Sequence, residues 1–211
     1  MKIYCLSNNI VDENAYIVIR NKDVSIIDPG FNYELISKFL NQNELMPSRI
    51  LLTHGHFDHF RDLDKLYKAY GSIKTYIHED DYKCLKDPDL NQSIGLGAKA
   101  TLKDIRNVFK VKNKDNVDGF IYHHTPGHTK GSSVIEIGNF IFTGDTLFKG
   151  TIGRCDLPGG SMNDMNNSLS YIVSSFSKRK VILPGHYSKS TIKDELSNNQ
   201  FLKPFLKRTG K

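Results

Sequence analysis

The chain has 211 residues, a length that suits one domain, or one domain with a small appendage, and that buries a core without help from disulfides. Hydrophobic residues at 38% and charged residues at 25% exclude collagen-like and disordered classes, and no apolar run approaches the ~18 residues of a membrane span. Lys and Arg (29) exceed Asp and Glu (23), but part of the excess lies in a basic tail over 203–211, and no cationic stripe interleaved with aromatics points to nucleic acid.

The N-terminal MKIYCLSNN lacks the apolar core of a signal peptide, and Cys5, Cys84 and Cys155 are too widely spaced for a disulfide framework or a CxxC metal site. A cytoplasmic protein with no membrane partner is therefore expected.

In chain order, short apolar runs predict strands at Lys2–Leu6, Ala15–Ile19, Val24–Ile27 and Ile50–Thr53. Further strands are predicted at Ile73–His78, Gly119–His124, Ser133–Ile137, Phe140–Thr143 and Lys180–Leu183. Helical spacing of apolar residues predicts helices at Tyr33–Leu40, Asp62–Tyr70 and Met162–Phe176, with Ser161 and Asp164 forming a loose capping box for the last. Residues 79–110 are polar and less regular, and read as an insertion or lid. Strands followed by helix and strand occur in both halves, which suggests an α/β protein with two mixed sheets and helices outside.

Four of these strands end in turns that carry metal-ligand residue types. Arg49–Leu52 leads into Thr53-His54-Gly55-His56-Phe57-Asp58-His59, and Phe120–Tyr122 precedes Thr125-Pro126-Gly127-His128-Thr129. Phe140–Phe142 leads into Thr143-Gly144-Asp145-Thr146, and Val181–Ile182 into Leu183-Pro184-Gly185-His186. Imidazole and carboxylate suit zinc, iron or manganese. In an extended turn His54 and His56 fall on one side, so one ion can be chelated there. Asp58 and His59 turn toward a neighbouring ion, and Asp145 is the candidate to bridge the two. Seven oxygen and nitrogen ligands exceed the four of a closed structural zinc site, and no thiolate is among them.

These residues resemble the metallo-β-lactamase-fold superfamily and, within it, short-type glyoxalase II-like proteins. The likeness is carried by the three motifs around His54–His59, His128 and Asp145, with Ile27-Asp28-Pro29-Gly30 and Leu183-Pro184-Gly185-His186 as weaker matches. The resemblance implies one domain over 1–211 with the αββα four-layer sandwich of two mixed β-sheets flanked by helices. It implies two divalent metal ions per chain, zinc first, with iron or manganese as alternatives. His54, His56 and His128 would hold the first, Asp58, His59 and His186 the second, and Asp145 would bridge. Asp145 argues against a true β-lactamase, where that position is usually Cys or Ser.

The implied reaction is hydrolysis of a small acyl thioester such as S-lactoylglutathione. Two cations lower the pKa of a water toward ~7, and the hydroxide attacks the carbonyl carbon. Asp58 would serve both as ligand and as acceptor of the water's proton. Arg154 stands where the family often carries a basic residue for the thiol's carboxylate. Asp28 is expected to support the ligand histidines by hydrogen bonds, and Asn14 to lie near the site. Only about 25 residues follow His186, too few for the helical region with which full-length glyoxalase II binds glutathione. Alternatives on similar motifs are a mononuclear iron persulfide dioxygenase, using His54, His128 and Asp145, and a phosphodiesterase or ribonuclease.

Overall fold

The computed structural model describes residues 1–7, 12–71 and 73–206. They cluster into two compact units, Met1–Val111 and Lys112–Lys211. Of the basic tail, Lys203 opens a short helix, while Lys207, Arg208 and Lys211 lie outside the described residues.

The first unit holds strands β1 (Lys2–Ser7), β2 (Asn14–Arg20), β3 (Asp23–Ile27), β4 (Arg49–Leu51), β5 (Lys74–His78) and β6 (Val108–Val111) in one sheet of that order. β1, β2 and β3 pair antiparallel, whereas β3 to β6 run parallel. Parallel neighbours need a crossover. Helix α1 (Tyr33–Gln42) supplies it between β3 and β4, and helices α2 (Phe57–Phe60) and α3 (Leu63–Tyr70) lie between β4 and β5. Ile36 and Leu40, one turn apart on α1, and Leu63 and Leu66 on α3 bury their side chains with Ile17, Val24, Ile26 and Ile50 of the sheet.

The second unit contains β7 (Asn116–Val117), β8 (Phe120–His124), β9 (Ser133–Ile137), β10 (Phe140–Gly144), β11 (Leu147–Phe148), β12 (Thr151–Ile152), β13 (Val181–Pro184) and β14 (Ser190–Thr191). Its main sheet has the order β14-β13-β10-β9-β8-β7, in which only β10 and β13 run parallel, and β11 and β12 form a separate hairpin. Helix α4 (Met162–Ser175) joins β10's end of the chain to β13. It buries Met165, Leu169 and Ile172 with Val134, Ile141 and Ile182. Helices α5 (Ile192–Asn198) and α6 (Lys203–Leu206) close the chain. Among the described residues no helix is long and apolar enough to cross a membrane.

The predicted strands and helices fall within one or two residues of those observed. The sequence reading omitted β6, whose central Phe109 and Lys110 are exposed while Val108 and Val111 are buried. That pattern is not an alternation, and only pairing with β5 makes it a strand. The segment 79–110 otherwise consists of 3-10 turns at Glu79–Lys86 and Ile94–Leu96 and connecting loops.

The start of α4 carries the cap expected from sequence. Ser161 Oγ accepts the N–H of Asp164 at 3.2 Å, satisfying a donor that the helix itself leaves over. Ser161→Ala should lower unfolding stability by about 1 kcal/mol, read as a shift of the urea midpoint at unchanged m.

Candidate metal centre

In the first unit the site is built at the C-terminal ends of two adjacent parallel strands. β4 runs on through Leu52, whose N–H still bonds Tyr76 O at 2.9 Å, into the turn Thr53–His56. His56, with extended backbone, stands at the N-terminus of α2, and the single turn of that helix carries Asp58 and His59. The His54 ring lies 4.9 Å from the His56 ring and 4.1 Å from the His59 ring, centroid to centroid. All three histidines are buried, and Asp58 is partly exposed. Asp58 Oδ2 and His59 Nε2 are 3.9 Å apart.

Asp28, at the end of β3, orders this turn. It is buried, and its carboxylate accepts three hydrogen bonds. Thr53 N–H donates to Oδ1 at 2.8 Å, the Thr53 hydroxyl to Oδ2 at 2.6 Å, and His59 Nδ1 to Oδ2 at 3.0 Å. Because the Thr53 hydroxyl spends its proton on Asp28, its oxygen accepts from His54 Nδ1–H at 3.1 Å. The pattern assigns the proton of both histidines to Nδ1 and leaves Nε2 unprotonated and able to coordinate. Metal-binding histidines commonly have this outer tether to a carboxylate or carbonyl. Gly30 locks the same loop down. Its φ is +45°, and a Cβ there would come 2.0 Å from Glu13 Oε2 and 2.5 Å from the Asp58 carbonyl oxygen. Gly30 N–H bonds His59 O at 3.0 Å, and the buried Glu13 is held by Asn32 Nδ2 at 2.6 Å.

In the second unit three more residues of ligand type meet. His128 follows β8, Asp145 follows β10, and His186 follows β13. Gly185 N–H bonds Gly144 O at 2.9 Å, so the turns after the parallel pair β10 and β13 are pinned to each other. Asp145 Oδ2 lies 3.5 Å from His128 Nε2 and 3.7 Å from His186 Nε2. These are longer than ordinary hydrogen bonds. They approach the spacing of about 3.4 Å between two donors on one tetrahedral ion with bonds near 2.0–2.1 Å. His128 Nδ1–H donates to the Arg154 carbonyl at 2.8 Å, which turns its Nε2 to Asp145. Gly153 makes room for this: a Cβ there would fall 1.8 Å from Asp145 O and 3.2 Å from His128 Nδ1. Neither Thr53 nor Gly153 was singled out from sequence, because their roles rest on partners distant in the chain or on the space around them.

The remaining expected residues have other surroundings. The Arg154 guanidinium is exposed and forked onto Asp156, at 2.8 Å to Oδ1 and 2.7 Å to Oδ2. Those bonds hold the Asp156 carboxyl down to about 2. Arg154 therefore meets His128 through its backbone. Asn14 is buried at the start of β2, where its Oδ1 accepts from Cys5 Sγ at 3.6 Å. Cys155 is half-buried; burial and then the Asp156 charge push its thiol up, which disfavours the thiolate. His123 is bonded by Glu136 Oε2 at 2.8 Å and Tyr171 at 2.7 Å, and His124 bonds Lys130 O at 2.8 Å.

Residues 9–186 match the family model of the metallo-beta-lactamase superfamily. The chain belongs to that superfamily. A probable metallo-hydrolase of Streptococcus pyogenes is 35% identical over 211 residues, covering 95% of this chain and 90% of that one. A probable metallo-hydrolase of Bacillus subtilis is 32% identical over 200 residues, covering 92% and 94%. The solved B3 metallo-beta-lactamase BLEG-1 superposes with a TM-score of 0.88 at 31% identity, covering 95% of this chain and 99% of that one. TTHA1623, solved in a di-iron-bound form, gives 0.86 at 31% identity, with 94% and 100% covered. The α/β fold class expected from the sequence is thus the one found. The imidazole and carboxylate donors, with Nδ1 of His54, His59 and His128 tethered, fit a divalent metal ion.

Asp28→Ala should weaken metal binding by about 10- to 100-fold, measured by competition with a chromogenic chelator. Gly153→Ala should lower metal content as well, because the added methyl must displace Asp145 or the loop carrying the His128 acceptor.

Proposed function

We propose that the protein is a glyoxalase II-like thioesterase that hydrolyses a small acyl thioester such as S-lactoylglutathione. In this reading His54, His56 and His128 would hold one divalent ion, Asp58, His59 and His186 a second, and Asp145 would contribute to both. Zinc is the first choice of metal, and iron is the alternative suggested by the di-iron-bound relative. The observation that carries the two-metal reading is the Asp145 carboxylate set between the Nε2 atoms of His128 and His186 at 3.5 and 3.7 Å.

When bound, the two ions supply hydroxide at neutral pH by acidifying a water toward a pKa near ~7. The chain does the rest. Asp58, whose side chain is partly exposed, takes the proton released from the water. Asp28 keeps the His59 ring fixed, and through Thr53 the His54 ring, so neither imidazole competes for that proton. A thiolate departs without a strong acid, which suits a site with no general acid assigned to it. The Arg154 guanidinium binds the carboxylate of the thiol by exchanging Asp156 for it, since both offer the same two-oxygen edge.

A second substrate class, a β-lactam, draws on the 31% identical B3 metallo-beta-lactamase. Both reactions attack a carbonyl carbon. They differ in the leaving group, because an amide nitrogen needs a proton as it leaves. Asp145, where the resemblance gives true β-lactamases Cys or Ser, ranks the thioester first.

Metal-reconstituted protein should hydrolyse S-D-lactoylglutathione at neutral pH and lose turnover on chelation. Asp58→Ala should lower kcat by about 100-fold or more. Failure of the metal-loaded protein to turn over this thioester or simpler acyl thioesters, with cleavage of a chromogenic cephalosporin or oxygen uptake with a persulfide instead, would replace this reading. Arg154→Ala should raise KM with kcat little changed.

A further inference from the structure

The stretch that the sequence presents as an insertion or lid touches the histidine turn. Asp81, in the 3-10 turn after β5, is 1% exposed. Its Oδ2 accepts the N–H of Gly55 at 2.8 Å, the residue between His54 and His56. Gly55 has no room to spare, since a Cβ there would lie 2.5 Å from Cys84 Cβ and 3.0 Å from the Asp81 carbonyl oxygen. Two residues on, Phe57 N–H bonds the Asn91 carbonyl at 2.8 Å. That donor is one that the start of α2 leaves unsatisfied, and α2 carries Asp58 and His59.

Asn91 is in turn fixed on three sides. Its Nδ2 donates to Cys84 O at 2.9 Å and to Ala100 O at 3.0 Å, and its Oδ1 accepts Ser93 N–H at 2.9 Å. Two backbone N–H groups of the ligand turn are therefore held by a single cross-braced segment. A carboxylate acceptor makes the Gly55 bond a charge-assisted one, stronger than an amide would give. It also places a buried carboxyl group against Gly55, the residue between His54 and His56.

We propose that Asp81 and Asn91 are positioning residues of the metal centre, and that residues 79–102 seat the turn His54–His59. Asp81 sets the bite between His54 and His56, and Asn91 sets the start of the helix that presents Asp58 and His59. This inference rests on the reading of those four residues as metal ligands.

The test is zinc affinity of the folded protein, by chelator competition, together with the visible spectrum of the cobalt-substituted protein. Asp81→Ala should weaken zinc binding by about 10- to 100-fold and alter the cobalt spectrum. Asp81→Asn, which can still accept from Gly55 N–H, should restore affinity to within a few-fold of the parent and recover the spectrum. Asn91→Ala gives the same readout by the other route should Asp81→Ala fail to fold. Merely structural braces would lower the melting temperature of the metal-free variants and leave zinc affinity and the cobalt spectrum of the folded protein unchanged, which overturns the proposal. A parent chain that binds no zinc or cobalt overturns the ligand reading, and this inference with it.

Discussion

A buried carboxylate at the end of β3 holds the histidine turn in place. Asp28 has φ +45°, a left-handed conformation that asparagine and aspartate tolerate better than other side-chain-bearing residues. Its own N–H bonds Leu51 O at 3.1 Å, so the carboxylate is carried by the sheet rather than by a free loop. From there it fixes one imidazole directly and another through a hydroxyl relay. Removing it would leave the two rings free to choose tautomers and rotamers, and metal affinity depends on neither being free. Pro29 and Gly30 complete the device by turning the chain back so that Gly30 meets His59 O.

The same architectural rule operates in both units. Parallel neighbouring strands end at the same edge, and loops leaving that edge can converge. In the first unit the parallel pair β3 and β4 delivers Asp28 and His54. In the second the parallel pair β10 and β13 delivers Asp145 and His186. In the second unit antiparallel strands flank the pair, and their ends alternate, so that they bring one residue of ligand type, His128 after β8. Glycines at 30, 55 and 153 then mark close approaches at which a Cβ would push ligand-bearing backbone aside.

Much of this was legible in the sequence because it is written in local patterns. Apolar runs ending in His54-x-His56-x-Asp58-His59, His128, Asp145 and His186 identify strands and ligand types together. Periodicity located α1, α3 and α4, and Ser161 marked the beginning of the last. The two-residue strands β7, β11, β12 and β14 were not legible, since so short a strand is defined by its partner. Nor were Thr53 as a relay or Asp81 as a brace, whose partners stand 25 and 26 residues away. Arg154 shows the reverse case. Its partner Asp156 stands only two residues on, so that pairing was visible in the sequence.

The central proposal is that seven side chains would together hold two metal ions. Anomalous diffraction from crystals of the metal-loaded protein tests it most directly. The account predicts two anomalous peaks about 3.5–4 Å apart, one bonded to His54, His56 and His128, the other to Asp58, His59 and His186, with Asp145 on both. A single peak, or two peaks that do not share Asp145, would contradict it.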